Sequence, residues 1–458
     1  MATCSPPRLS IWDSQKLEVV AIFPCQELSQ VDKVVFSPNS QLVLVSGYKA
    51  GVVLIFSVEE EEWRGRIECG AGGLAGAAWS GDSRHVLTLG EWGVVLTVWS
   101  LANKSVQYVK NPKMWSTGSG TVLYNKDMTY TMVVERREGK DCLNIFSRDW
   151  QVVRHTVLGT EDCGGGAWSP SSDYIAVWDS CLYYRVQVIS MDGRCELDYT
   201  AYEHQLGVKT VRWSPSGQFL AVASYDNKIR IFCSQFWSLI HEVEHSAALH
   251  EGDPVSCRAV VYQEEEVAAQ DLDARLALEL GGVYLQQTKY TTLEERPVYL
   301  DYTKADPRKN GVVKVGVGLA EWSVCGRYIA SRCDNLQTVV WVWDIHNLQL
   351  VAMLVHKEGV RSMEWDSVLP RLGLVTGGGG LYLWTPLGAV VGRLPCVQRG
   401  EMEGVTELRW NPRGGAIALS NSKHCVLCKI SDQKRREEEE SDLDLEPSRE
   451  DSQSESKS

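Results

Sequence analysis

His241, Glu242 and His245 spell H-E-x-x-H. On a helix that spacing puts two imidazoles on one zinc ion, with a carboxylate beside the metal-bound water. The string follows the apolar segment FWSLI (236–240), which reads as the outer strand of a repeat. On a strand the two histidines share a face but stand about 13 Å apart, too far to share a metal. Cys425 and Cys428 form a lone C-x-x-C in a strand-like run, facing opposite sides and without a second pair. The glycine runs 164–166 and 377–380 lack the Lys-Ser/Thr of a phosphate loop, and no G-x-S-x-G elbow is present. The residues predict no catalytic centre, no metal and no cofactor, hence a non-enzymatic chain.

Composition narrows the remaining classes. The 458 residues carry 46 Lys plus Arg against 59 Asp plus Glu, a net charge of −13. That balance argues against a nucleic-acid binder acting by broad phosphate neutralisation. No apolar run approaches the roughly 18 residues of a membrane helix, so no membrane insertion is expected. The start of the chain has no apolar signal-peptide core. Fourteen Cys are scattered singly, which predicts buried free thiols in a reducing compartment, the cytosol or nucleus. Tryptophan is abundant, 17 against 7 Phe, and a repeat accounts for it.

The repeat begins with an aromatic anchor, followed by a small polar residue, a turn and an apolar run. Its anchors are Phe36, Trp79, Tyr124, Trp168, Trp213, Trp322, Trp365 and Trp410, spaced 43, 45, 44, 45, 109, 43 and 45 residues apart. The next residue is always Ser, Asn or Asp (Ser37, Ser80, Asn125, Ser169, Ser214, Ser323, Asp366, Asn411), side chains that bond nearby backbone and start turns. A second strand-like run follows about 20 residues later, as in VVLIFSV (52–58), KIRIFC (228–233) and HCVLCKI (424–430). Three or four short antiparallel strands per unit of about 45 residues make an all-β propeller. Eight anchors indicate about eight blades; seven to nine, or two fused propellers, stay open.

WSPSGQFLAVASYDNKIRIF (213–232) resembles a WD40 repeat, with Asp226 at the tight-turn aspartate of that family. Trp12-Asp13 and Trp343-Asp344 match its name-giving dipeptide, and His245 falls where the family often carries a loop histidine. The resemblance covers most of residues 8–430. The segments 51–63, 96–113, 176–194 and 340–350 are similar to one WD-repeat family, the centrosomal and spindle-pole family encoded antisense to a p53-family gene. That resemblance implies a scaffold with a coiled-coil microtubule-anchoring protein and other centrosomal proteins as partners. It also implies a place in the cytoplasm and cytoskeleton, at centrosomes, centriolar satellites and spindle poles, and roles in minus-end anchoring, spindle organisation and cilium assembly. A cullin-ligase substrate receptor is the alternative. Neither Trp-Asp pair, however, has the Arg of a W-D-x-R motif: Gln15 and His346 stand there.

Several segments depart from the repeat. Residues 1–7 read as a disordered N-terminus, and the first blade starts late, at LSIWD (9–13), without its two inner strands. Residues 16–23 are expected to supply the outer strand that the last repeat lacks. Residues 245–311 form an insertion, in which 264–280 has near-helical apolar spacing; a solvated helix or loop is the plainer reading. The tail 431–458, rich in Ser and Glu, is too polar to offset ordering entropy and reads as disordered. Most Trp should pack between blades. Trp63, Trp92, Trp115 and Trp237 lie outside the anchors and are the weak candidates for partner contact.

Overall fold

The computed structural model describes residues 2–430, apart from 6–7, 14–17, 61, 71–72, 114–121, 251, 254, 256–257, 267–287, 303–313, 378–379, 393–403 and 422–423. Every regular element among these is a strand. Most strands make antiparallel sheets that follow one another along the chain and are built from consecutive strands; the exceptions are a two-stranded sheet of Ala248–Leu249 with Val298–Tyr299 and a six-stranded sheet described below. Seven sets of four strands, flanked by three-stranded first and last sheets, give the WD40-type β-propeller class with about eight blades. We number these sheets one to nine along the chain.

Two compact units divide the sheets: residues 1–244 with Val315–Gly318, and residues 245–314 with 319–458. In the first unit the core is built between successive sheets. Leu44, Ile55 and Val86 join the second and third sheets, Met132 and Ile175 the fourth and fifth, and Val186, Val222 and Phe232 the fifth and sixth. In the second unit Val342, Leu354, Leu372 and Trp384 join the seventh and eighth sheets, and Leu408 and Ile417 bring in the ninth. Both faces of each middle strand are therefore covered, as the unbroken apolar runs require.

Each anchor ends the first strand of its sheet, as Trp79 ends Gly76–Trp79 and Trp213 ends Val208–Trp213. Its indole N–H donates to the carbonyl of the residue just before the preceding anchor. Trp79 reaches Val35 (3.0 Å), Trp168 Leu123 (3.2 Å), Trp213 Ala167 (3.2 Å), Trp365 Glu321 (2.9 Å) and Trp410 Glu364 (2.9 Å). Tyr124 instead donates its hydroxyl to Trp79 O at 2.9 Å. The conserved spacing is thus the span of one inter-sheet bond. The small polar residue after the anchor is buried in seven of the eight repeats. Its side chain accepts the amide five residues on: Leu42 to Ser37, Tyr130 to Asn125, Tyr174 to Ser169, Phe219 to Ser214 and Tyr328 to Ser323, at 2.9–3.0 Å. A buried turn amide that would otherwise lose water is satisfied in this way.

Three expectations are corrected. Ala2–Ser5 is a strand paired with Arg8–Trp12, so the N-terminal residues carry structure and only one inner strand is missing from the first sheet. Val19–Pro24 pairs with Arg8–Trp12 as the outer strand of that same sheet, and so does not complete the last repeat. In the insertion, Val260–Glu266 and Thr288–Leu293 form a hairpin, so the start of the helical pattern, Glu264 to Glu266, is strand. The remainder of that pattern, and the tail, lie outside the described residues.

The hairpin belongs to the seventh sheet. Val260–Glu266 runs parallel to Gln349–Val355, the outer strand, and widens the sheet to six strands. Its Glu264 is buried, accepting from Tyr382 Oη (2.6 Å) in the eighth sheet and from the Lys357 amide (2.9 Å). Tyr290 Oη bonds His356 Nε2 at 2.7 Å, and the His356 ring lies 4.6 Å from that of Tyr382.

Candidate interaction surface

In a four-stranded antiparallel sheet the turn after the second strand and the link to the next sheet lie at one end. The turns after the first and third strands lie at the other. Successive sheets of the first unit repeat this orientation, so their second-strand turns and links share one face. The link that leaves a repeat packs on the second-strand turn of the same repeat: Cys69 N donates to Gly51 O (2.9 Å) and Gly207 N to Cys181 O (2.8 Å). This face carries the large exposed side chains of the third and fifth sheets.

In the third sheet the turn follows His85–Leu89 and precedes Val95–Ser100. Gly93 takes φ +64° and its amide donates to Gly90 O at 2.9 Å, which closes the turn and throws Trp92 outward. Trp92 is 84% exposed, and Val94 beside it is also exposed. In the fifth sheet the turn follows Tyr174–Asp179. Leu182 (66%) and Tyr183 (47%) point to solvent there. The backbone beneath them is rigidly held, because a Cβ on Gly207 would come within 2.0 Å of Tyr183 O. Under this pair Tyr184 is buried, its ring 4.8 Å from that of Tyr202 and with Arg230 stacked 5.1 Å above it. The aromatic cage is therefore filled by the chain's own guanidinium, which also pairs with Asp226 (2.7 Å) and Glu242 (2.8 Å).

Between these two turns, the fourth sheet contributes a network of charges. Asp141 is fully buried and bonds Arg136 Nη1 (2.9 Å), Lys113 Nζ (3.3 Å) and the Cys163 amide (2.5 Å). Lys113 also pairs with Asp162, whose carboxyl it holds below the usual range by hydrogen bonding. Asp179 accepts the Asp162 amide at 2.8 Å, and burial pushes its carboxyl up. Glu138 and Glu161 are exposed beside this network, as are Arg137 and Lys140, and Glu91 is exposed in the Trp92 turn. The face thus combines aromatic and aliphatic side chains with exposed charges of both signs, the make-up of a protein contact rather than of a catalytic cleft.

The other sequence candidates separate by burial. Trp63 is partly buried against the core of the second and third sheets, its ring edge 3.6 Å from where a Cβ on Gly65 would lie. Trp237 packs edge-on to Tyr174 (5.0 Å) and Trp213 (6.0 Å), between the fifth and sixth sheets. Trp115 lies outside the described residues. Trp92 alone of the described three stands free. Leu182 and Tyr183 were missed by the aromatic count; the signal was an apolar group, CLYY (181–184), in a turn slot where polar residues are usual.

His241 lies in the strand Ser238–Glu244, so the helix that H-E-x-x-H chemistry requires is not formed. His245 bonds Ser331 Oγ at 2.7 Å, and that hydroxyl accepts the Trp343 indole N–H at 3.0 Å. Among the described residues no His/Cys/Asp/Glu group is arranged to hold a metal ion. Cys425 and Cys428 share the strand Cys425–Lys429, the first exposed and the second turned toward the core. The described cysteines are free thiols, but Cys181, Cys195, Cys325 and Cys425 are exposed, which corrects the expectation that they are buried.

The WD40 family model (WD domain, G-beta repeat) matches residues 194–233. The WD repeat-containing protein WRAP73 of Mus musculus is 36% identical over 447 residues, covering 95% of this chain and 92% of its own. The chain belongs to the WRAP73 family of WD-repeat proteins. An uncharacterized WD repeat-containing protein of Schizosaccharomyces pombe is 22% identical over 79% of the chain and 71% of its own length. Among solved structures, the C-terminal WD40 domain of Sif2 is 12% identical, with a TM-score of 0.47, over 88% of this chain and 97% of that one. WRAP73 family membership and the repeats make the chain a WD-repeat interaction scaffold, the class its segments 51–63 and 96–113 suggested.

Proposed function

We propose that this scaffold works at centrosomes, centriolar satellites and spindle poles, joining a coiled-coil microtubule-anchoring protein to other centrosomal proteins. Its output is microtubule minus-end anchoring, spindle organisation and cilium assembly, without catalysis by the chain itself. The observation that supports this reading is similarity to mouse WRAP73 along 95% of the chain, which takes in both units. The Trp92–Tyr183 face supplies a physical means. Exposed rigid aromatics bury large area at low entropy cost when a partner covers them, and such side chains dominate contact energies.

Quantitative pull-down of tagged chain from dividing-cell lysate, read by mass spectrometry, tests the proposal. Enrichment of a coiled-coil anchoring protein with centrosomal proteins is the expected result, and its loss in a Trp92→Ala/Tyr183→Ala variant ties it to this face. Enrichment of a cullin adaptor in their place overturns the reading in favour of a ligase receptor.

A further inference from the structure

The outer strand of the third sheet, Val106–Lys110, does not end at its own sheet. The chain after it zips onto the fourth sheet: Arg136 N donates to Asn111 O (2.9 Å), Lys113 N donates to Val134 O (2.7 Å), and Pro112 bridges Glu135. This crossing leaves a groove of about 640 Å³ between the two sheets, lined by Tyr108, Lys110, Arg137, Val152 and His155, with Glu135 also on its wall. Tyr108 is 66% exposed, and Val152 is exposed on the facing strand Val152–Val157. Arg136 is occupied by Asp141 and by Glu161 O (2.8 Å). Lys110 and Arg137 are exposed and have no ion-pair partner among the described residues.

Two unpaired cations beside an exposed aromatic form a positive concavity on a chain whose net charge is −13. We propose that this groove binds an acidic peptide segment of a protein partner. Carboxylates would sit on Lys110 and Arg137, and an apolar side chain between Tyr108 and Val152. The volume accommodates a few residues of an extended chain, and Arg137 can take a carboxylate by two parallel N–H bonds. A nucleic-acid ligand is disfavoured because the surrounding protein repels a polyanion while a short acidic segment meets only the local field. The inference rests on the scaffold reading, since it supplies that scaffold with a second contact, for an acidic segment of a partner.

The test is fluorescence anisotropy of the purified full chain with a fluorescein-labelled Glu-rich peptide containing two leucines. A Lys-for-Glu counterpart and a single-stranded oligonucleotide serve as controls. Binding of the acidic peptide alone is expected. Lys110→Glu/Arg137→Glu should weaken it by about tenfold or more, Tyr108→Ala should weaken it several-fold, and Trp92→Ala should leave it unchanged. Both reversed residues are exposed and unpaired, so thermal melting should not move, and Lys110→Gln/Arg137→Gln should give an intermediate loss. No binding by the wild-type chain, an unchanged affinity in the double reversal, or equal binding of the oligonucleotide overturns the proposal. If the groove fails while the wild-type chain still captures centrosomal proteins, the scaffold reading stands. If the peptide binds but that capture fails, only the scaffold reading falls.

Discussion

Trp365 is buried and donates its indole N–H to Glu321 O at 2.9 Å, so a smaller ring without that donor loses this bond and leaves unfilled space between sheets. Trp365→Phe should therefore cost about 1–3 kcal/mol, seen as a lower urea midpoint at unchanged slope. Trp92 is the opposite case. With 84% of its surface in water it contributes little to folding. Trp92→Ala should leave the unfolding free energy within about 0.5 kcal/mol of wild type. Capture of the coiled-coil partner should fall about tenfold in the same variant, measured by quantitative mass spectrometry. The sequence names both residues as tryptophan; only position within the period separates them. Trp63 and Trp237 also fall outside the anchors, yet each found a cleft between sheets. That choice depends on neighbours far away in sequence, which is why the candidate set was only partly legible.

The hairpin Val260–Glu266 and Thr288–Leu293 shows the same limit for an element. Its first strand ends in three glutamates that fit a helical pattern; pairing of those glutamates with Thr288–Tyr290, and of Val260–Gln263 with Gln349–Val355, makes it a strand. The period-45 sheets were legible because each repeats its own local signals. This hairpin was not, because its partner strand lies about 90 residues away. It also creates a pH sensitivity. Burial lowers the His356 imidazole to about 4, with Glu264, Tyr290 and Tyr382 as its facing titratable groups. The folded pKa lies below the unfolded value of about 6.5. Stability from neutral His356 is therefore full above about pH 6.5 and is lost as pH falls toward 4, by roughly 3 kcal/mol in total. Urea unfolding of His356→Gln between pH 7 and pH 4 should show a flatter pH dependence than wild type. An identical slope in both proteins would place the sensitivity elsewhere.

At the scale of the whole molecule, the formal charge of −13 is distributed unevenly. Glu91, Glu138 and Glu161 are exposed among the second-strand turns and links, and Lys110 and Arg137 of the groove beside Tyr108 stand at the same end of their sheets. A partner drawn by the carboxylates of Glu91 and Glu161 should associate more slowly as salt rises, because exposed charges are screened within about 10 Å at 0.1 M. Surface plasmon resonance with the captured partner should show the on-rate falling between about 50 and 300 mM NaCl. In Glu91→Gln/Glu161→Gln the fall should be shallower, with the off-rate little changed.

The contact between Gly207 and Tyr183 has a genetic consequence. Gly207 itself offers no side chain to a partner, yet a Cβ there would meet Tyr183 O at 2.0 Å. Gly207→Ala must lift the turn that presents Leu182 and Tyr183. In a mutational screen scored only by partner recovery, a change in this silent link would look like the loss of a contact residue. Paired with a fold readout, it should instead reveal itself as a shift of the whole turn. Missense alleles at position 207 would then belong with those at 182 and 183 in phenotype, though not in cause.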